Sequence, residues 1–543
     1  MRKIVFTAFV TVSILSFSGC KLISSLFENL SKETNHISEV ISSDSFEVTS
    51  FGNIKVSDYN ISLKSDSQVF VVQINEGETF QKSGIMKSEF LLDDDEDFIT
   101  PSRSAVGFNN DSLINVIPEV VRNPVKVPKE KDYSTKKINY SLSGTQVGDS
   151  DDFKVITSNT ANPSYDDLFG CELVYESEHA YVYYNYLIGE YVNDSSLSDE
   201  EIYEKGLNYL SHSDFEKIGK TFDKIFDSEV ALLGRNDDFE HFGGYIKPSK
   251  NSKVVILLYD IFCDSHMKNK SWTYGFFNPN DFLLEESFEN SNADQIIYID
   301  SVLYKKSPET TLTTLSHEFA HLLNYCNKNM KIAGDDTSDS QTWYSEMLAM
   351  VTEDLLYDKV FKPLGFSNNT VIKNRIPDYL MGHQNGYVNW DSNVLDSYGN
   401  AFAYGSFLVR NYGGPKLFHE IATNVLFDEA SINAALRKMN LKDDYYSTFS
   451  EYAKCSVNQK ISDNAESVRT LNKSFSWKDF VADKIDVLSY NAGGVSLTKS
   501  GSEVEIGPGG FIVQYAGKGA NIINVTKPSG KDLKVYVVVQ TVE

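Results

Sequence analysis

Apolar and polar positions follow different periods in successive parts of this chain. An unbroken apolar run from Ile4 to Phe17 follows Arg2 and Lys3. It is too short to cross a bilayer comfortably and reads as the core of an export signal over residues 1–19, not as structure. Residues 20–50 are rich in Ser, Glu and Asn and read as a tether. From Phe51 the period becomes two. Ile54, Val56 and Tyr59 to Leu63 alternate, and Gln68 to Ile74 forms a strand closed by Asn75-Glu76-Gly77. This predicts a β module over 51–90. The acidic run Asp93 to Asp97 and Pro101, Pro118, Pro124 and Pro128 then mark a linker over 91–144. The acidic run lacks the alternating ligand spacing of a calcium loop, so it reads as solvated.

Periodic structure returns near Thr145. Val147 to Ile156, Cys171 to Tyr175 and His179 to Tyr184 read as strands. Ser198 to Phe226 reads as one long amphipathic helix, on Ile202, Leu207, Leu210, Phe215, Ile218, Phe222 and Ile225. Lys253 to Asp260 and Gln295 to Asp300 are strands around a turn-rich loop, Tyr274 to Asp281. Leu312, Leu315, Phe319, Leu322 and Leu323 then recur at helical spacing, and Thr342 to Leu356 is a second helical run. Gly399 to Arg410, Pro415 to Asn424, Glu429 to Met439 and Tyr445 to Val457 continue in helices. Past Phe480 the alternation resumes, which predicts a second β module over 480–543. The fold class expected is multidomain α+β: a central unit over 145–475 with a mixed-sheet half and a helical half, flanked by small β-sandwich-like modules.

At 543 residues with 41% hydrophobic positions, the chain can bury a substantial core. Its net charge of −26 repels phosphate backbones, so nucleic acid is not an expected partner.

The chemistry sits in the helix carrying Ser316-His317-Glu318-Phe319-Ala320-His321. His317 and His321 are four apart and leave the same face one turn apart, the spacing two imidazoles need to reach one tetrahedral zinc. Glu318, beside the first of them, can reach water at the metal and act as general base. A third protein ligand is still required. Glu346, at the start of the helix that begins Thr342-Trp343-Tyr344-Ser345, suits that role.

The two helices together resemble the gluzincin metallopeptidases, and most closely the hyicolysin family of secreted bacterial peptidases. The resemblance covers mainly residues 145–460. It implies a zincin fold, zinc as cofactor and a peptide or protein as substrate. It further implies substrate pairing with a strand beside the active-site helix, for which Gln295 to Asp300 is the candidate. Related enzymes place a carboxylate one turn after the third ligand to orient an imidazole, but Met350 stands there. Glu353 or Asp354 is the expected substitute. Tyr398, Tyr404 and His383 are candidates to steady the developing oxyanion.

Phe17-Ser18-Gly19-Cys20 resembles the bacterial lipobox, with Phe17 departing from its usual aliphatic residue. It implies a lipid on Cys20, membrane association and a place in the bacterial cell envelope. Cys171, Cys263, Cys326 and Cys455 allow three disulfide connectivities, and the sequence does not choose among them. The competing reading is a surface binding or adhesion lipoprotein on an inactive scaffold, against which the presence of Glu318 argues. A zinc aminopeptidase would be expected to carry a Gly-x-Met-x-Asn-type segment for the substrate amine, and none is evident.

Overall fold

The computed structural model describes residues 39–41, 48–50, 58–63, 68–89, 146–158, 164–235, 246, 252–267, 272–328, 341–390, 393–457, 475–476, 486–487, 495–499, 501–518, 522–526 and 532–540. The export signal, Cys20, most of the tether and nearly all of the linker lie outside these residues. No helix among the described residues is long and apolar enough to cross a membrane.

Six short strands come from the first part of the chain: β1 (Glu39–Ile41), β2 (Val48–Ser50), β3 (Asp58–Leu63), β4 (Gln68–Asn75), β5 (Gln81–Lys82) and β6 (Met86–Glu89). The central sheet follows. It consists of β7 (Ser150–Ile156), β8 (Tyr165–Glu176), β9 (Ala180–Tyr184), β10 (Val254–Tyr259), β11 (Gly275–Phe277) and β12 (Ile296–Asp300), in the order β11-β12-β10-β9-β8-β7. β9, β10 and β12 run parallel, while β11 lies antiparallel on β12.

Every residue of β10 and β12 is buried. An apolar run without alternation marks a strand covered on both faces, and that is where these two sit. Gln295 to Asp300, expected as the strand open to substrate, is therefore interior, paired with β10 on one side and β11 on the other. The outer strand is β11. It falls within the stretch read as a turn-rich loop, where Asn278-Pro279-Asn280 dominates the local signal and the strand itself is three residues long.

The expected long helix over 198–226 is two: α1 (Asp199–Leu207) and α2 (His212–Leu233). Each opens with a capping box, Ser198 with Glu201 and Ser211 with Asp214. The second box starts a new helix in the middle of a continuous apolar stripe. α2 lies against the central sheet and against the helix that carries His317 and His321. After β12 the chain enters α3 (Ser301–Lys306) and α4 (Pro308–Asn327), then α5 (Thr342–Leu356), α6 (Thr370–Gly382), α7 (Val394–Tyr412), α8 (Gly414–Thr423), α9 (Asp428–Lys438) and α10 (Tyr445–Cys455). The described residues thus form a mixed α+β structure with a sheet half and a helical half.

The last strands are β13 (Phe475–Ser476), β14 (Asp486–Val487), β15 (Glu505–Ile506), β16 (Phe511–Lys518), β17 (Ile522–Thr526) and β18 (Leu533–Gln540). Expected as a separate module, β15 to β18 pair instead with the first strands. One sheet has the order β16-β4-β18-β2, another β1-β3-β17-β6, and β15 pairs with β5. β4 carries an apolar run flanked by neighbours on both sides, and Val69 to Val72 and Ile74 are all buried. Phe70, Val72 and Ile74, with Phe511, Val513, Tyr536 and Val538, join the core of the helical half. Backbone bonds tie the halves together: Gly507 N–H to Gln384 O at 2.8 Å, and Val388 N–H to Pro508 O at 3.3 Å. Gly386 (φ 73°) allows this approach, because a Cβ there would strike the Pro508 carbonyl.

Candidate metal centre

α4 starts with Pro308 in its first turn, where the missing N–H costs nothing. It is buried for most of its length. Phe319 packs on Phe222 and Phe226 of α2, with ring centroids 5.0 and 5.3 Å away. At its C-terminal end the buried Lys328 ammonium donates to the carbonyls of Ile421 (2.8 Å), Asn424 (3.0 Å) and Leu426 (2.6 Å). α4 is thereby pinned to the end of α8, where a cation complements exposed carbonyls. α5 packs alongside α4. Its first turn is fixed by Trp343, fully buried, with the indole N–H donating to Gln341 Oε1 at 2.9 Å.

This packing brings His317, His321 and Glu346 together, with one ligand atom from each within 4.8 Å of the others. Glu346 Oε2 lies 3.0 Å from His317 Nε2, and Glu346 Oε1 lies 3.6 Å from His321 Nε2. A tetrahedral zinc with bonds of about 2.0–2.1 Å separates its ligand atoms by about 3.3 Å. The two observed gaps bracket that spacing.

The far nitrogen of each ring is held as well. His317 Nδ1 is 2.8 Å from Glu353 Oε1, and His321 Nδ1 is 2.9 Å from the Ser345 hydroxyl. A carboxylate only accepts, so the hydrogen of a neutral His317 sits on Nδ1 and its Nε2 lone pair faces the Glu346 carboxylate. Two electron pairs confront each other across 3.0 Å, an arrangement that needs a proton or a metal cation between them. His321 Nε2 is buried and has no hydrogen-bond partner among the described residues. The donor set therefore fits a metal ion, and the three residues can hold one.

Proton affinities follow from the same contacts. Burial alone would lower that of His317, but Glu346 and Glu353, one on each ring nitrogen, raise it well above the usual imidazole range. Burial pushes His321 down to about 4, against the pull of Glu346. Burial lifts the Glu318 carboxyl to about 7, opposed by His317 and by the Phe277 N–H, which donates to Glu318 Oε2 at 3.0 Å. That last bond ties the candidate base to β11.

No known family model matches this chain, and no curated protein is similar enough to count as a relative.

The other expected residues separate. Glu353 touches His317, whereas Asp354 points away and pairs with Arg410 at 2.8 Å, both fully buried. Tyr398 lines a cleft that also reaches His317 and Glu353. Tyr404 is placed elsewhere, its hydroxyl 2.8 Å from Thr448 Oγ1 among Tyr387, Tyr445, Phe449 and Tyr452. His383 lies against Phe511, where the terminal strands meet the helical half. Among the described residues no disulfide joins any of Cys171, Cys263, Cys326 and Cys455.

Three groups at the centre were not expected. Ser345 and the Phe277 N–H are two. The third is Glu229 of α2, fully buried beneath α4, whose Oε1 accepts from the Ser316 hydroxyl at 2.5 Å. Burial holds its carboxyl well above the usual range. Its signal was in the sequence: it continues the stripe Ile218, Phe222, Ile225 at helical spacing, where a charged residue is out of place.

Proposed function

We propose that this protein is a zinc-dependent peptidase of the gluzincin type, with Glu318 as general base, held at a bacterial envelope membrane by a lipid on Cys20. The observation that carries the reading is the convergence of His317 Nε2, His321 Nε2 and the Glu346 carboxylate, with Glu318 on the same helical turn. A zinc ion bound there supplies Lewis acidity, polarising a peptide carbonyl and acidifying water.

The chain's own residues do the rest. Glu353 and Ser345 fix the orientation of the two imidazoles. Glu318 takes a proton from the attacking water as the oxygen adds to the carbonyl carbon. It returns that proton to the amine nitrogen as the C–N bond breaks. β11, the outer strand of the central sheet, offers backbone for an extended substrate to pair with. Its Phe277 N–H fixes the base in position beside that edge.

The test is zinc content and peptide hydrolysis for wild type and Glu318→Gln. The substitution keeps about one zinc per chain, because the ligands remain, and loses nearly all hydrolysis, because the base does not. Hydrolysis by Glu318→Gln at the wild-type rate overturns the mechanism.

A further inference from the structure

Beside the candidate metal centre lies a small, partly open cleft between the first half of α4 and the first half of α6. His317 and Glu353 reach it from the centre; Thr310, Thr313 and Thr314, Tyr274, Tyr398, Asn374 and Arg375 complete most of its wall. Val371 is its only aliphatic lining residue. A large apolar side chain would find little to bury against there.

The guanidinium and the amide in this cleft both come from α6. Thr313 and Thr314 each donate their hydroxyl hydrogen to Thr310 O, at 2.9 and 3.1 Å, so neither has it to offer. Arg375 is the only Lys or Arg in the lining among the described residues. Its guanidinium lies over the Tyr398 ring, 4.5 Å from the centroid, which fixes its plane. Among the described residues no carboxylate pairs with it. Asn374 stands next to it in sequence and also faces the cleft. Among the described residues the only acidic one in the lining is Glu353, whose Oε1 is committed to His317 Nδ1. Arg375 is thus a half-buried cation beside the candidate centre in a chain of net charge −26, with no carboxylate on it among the described residues.

We propose that this cleft receives a carboxylate of the peptide substrate at the residue next to the scissile bond, and that Arg375 binds it as a fork of N–H donors and sets specificity. The proposal rests on the peptidase reading for its substrate class. Arg375 reads the substrate and takes no part in the bond-breaking step.

The test uses blocked, internally quenched peptides that differ only in Glu, Gln or Lys on either side of the scissile bond. A parallel Gln series carries a free C-terminal carboxylate one residue beyond it. Zinc-loaded full-length protein should prefer Glu over Gln by on the order of 10- to 100-fold in kcat/KM, as expected for a charge-assisted bond in a partly dry site. Arg375→Gln should bring that ratio to about one, and Arg375→Glu should turn the preference towards Lys, an outcome that a misfolded variant does not give. An Arg375-dependent preference confined to the free-carboxylate series assigns the carboxylate to the chain terminus and supports the cleft all the same. Equal cleavage of Glu and Gln peptides by wild type with no gain in the free-carboxylate series either, or an unchanged preference in Arg375→Gln, overturns the proposal.

A calorimetric titration of Glu318→Gln with the same peptides separates the two readings. Tighter binding of the Glu peptide, by about tenfold and lost on adding Arg375→Gln, upholds the cleft even where wild type hydrolyses nothing and the peptidase reading falls. Binding that ignores the peptide charge overturns the cleft proposal, whatever the hydrolysis shows.

Discussion

Glu346 and Glu353 stand on one face of α5 but about 10 Å apart along its axis, at 1.5 Å per residue. His317 spans that gap, with Nε2 on the first carboxylate and Nδ1 on the second. One carboxylate can therefore ligate while the other holds a ligand in place. Glu346→Ala is expected to lose most of its zinc under mild chelation. Glu353→Ala is expected to keep zinc with affinity about 10- to 100-fold weaker. Metal analysis of the two variants side by side decides it, and the reverse order of loss would sink the assignment of the third ligand. Spacing within a helix made His317, Glu318 and His321 legible in the sequence, because residues one turn apart must share a face. Ser345, Arg375 and the Phe277 N–H were not legible. Each acts across a packing interface, and nothing in the local pattern records which helices or strands will meet.

At the scale of elements, burial overrode local signals in both directions. Gln295 to Asp300, the candidate for pairing with substrate, lies inside the sheet, and the lack of alternation in Ile296 to Ile299 is the mark of an interior strand. β11, three residues before a Pro-containing turn, gave almost no signal of its own. The helices were easier to place, since a stripe of several turns repeats its evidence. Their contacts depend on single positions. Gly405 on α7 faces α5, and a Cβ there would crowd Val351 Cγ2 at 2.8 Å and strike Met347 Cγ. Gly405→Val must displace α5, and Glu346 with it, relative to α4. Overpacking of this kind costs about 1–3 kcal/mol. The expected result is a lower thermal midpoint together with weaker zinc retention. A variant with unchanged midpoint and unchanged zinc would show that α5 is not positioned by this contact.

Taken as a whole, the molecule draws strands from its two ends into shared sheets, an arrangement no local pattern could show. Each β segment looked self-sufficient in sequence because alternation declares a strand and says nothing about its partner. β1 and β2 fall within the stretch expected as tether, so the proposed lipid on Cys20 would sit close in sequence to the shared sheets. Cys20→Ser should shift the protein from the detergent-rich to the aqueous fraction in phase partitioning, since its thiol is the attachment point proposed. Retention in the detergent phase would mean that something else anchors the chain.

The shared sheets also fix a schedule. Gln73 of β4 and Gln514 of β16 are joined by a side-chain hydrogen bond of 3.0 Å across 441 positions. A ribosome adding about 5–20 residues per second takes roughly 20 to 90 s to cover that distance. Throughout that interval β4 exists as an apolar segment with neither of its sheet neighbours yet made. The helical half meanwhile lacks the layer that Phe70, Val72 and Ile74 later supply. Until the last strands emerge, a partly made chain therefore lacks the two neighbours that complete this part of its core.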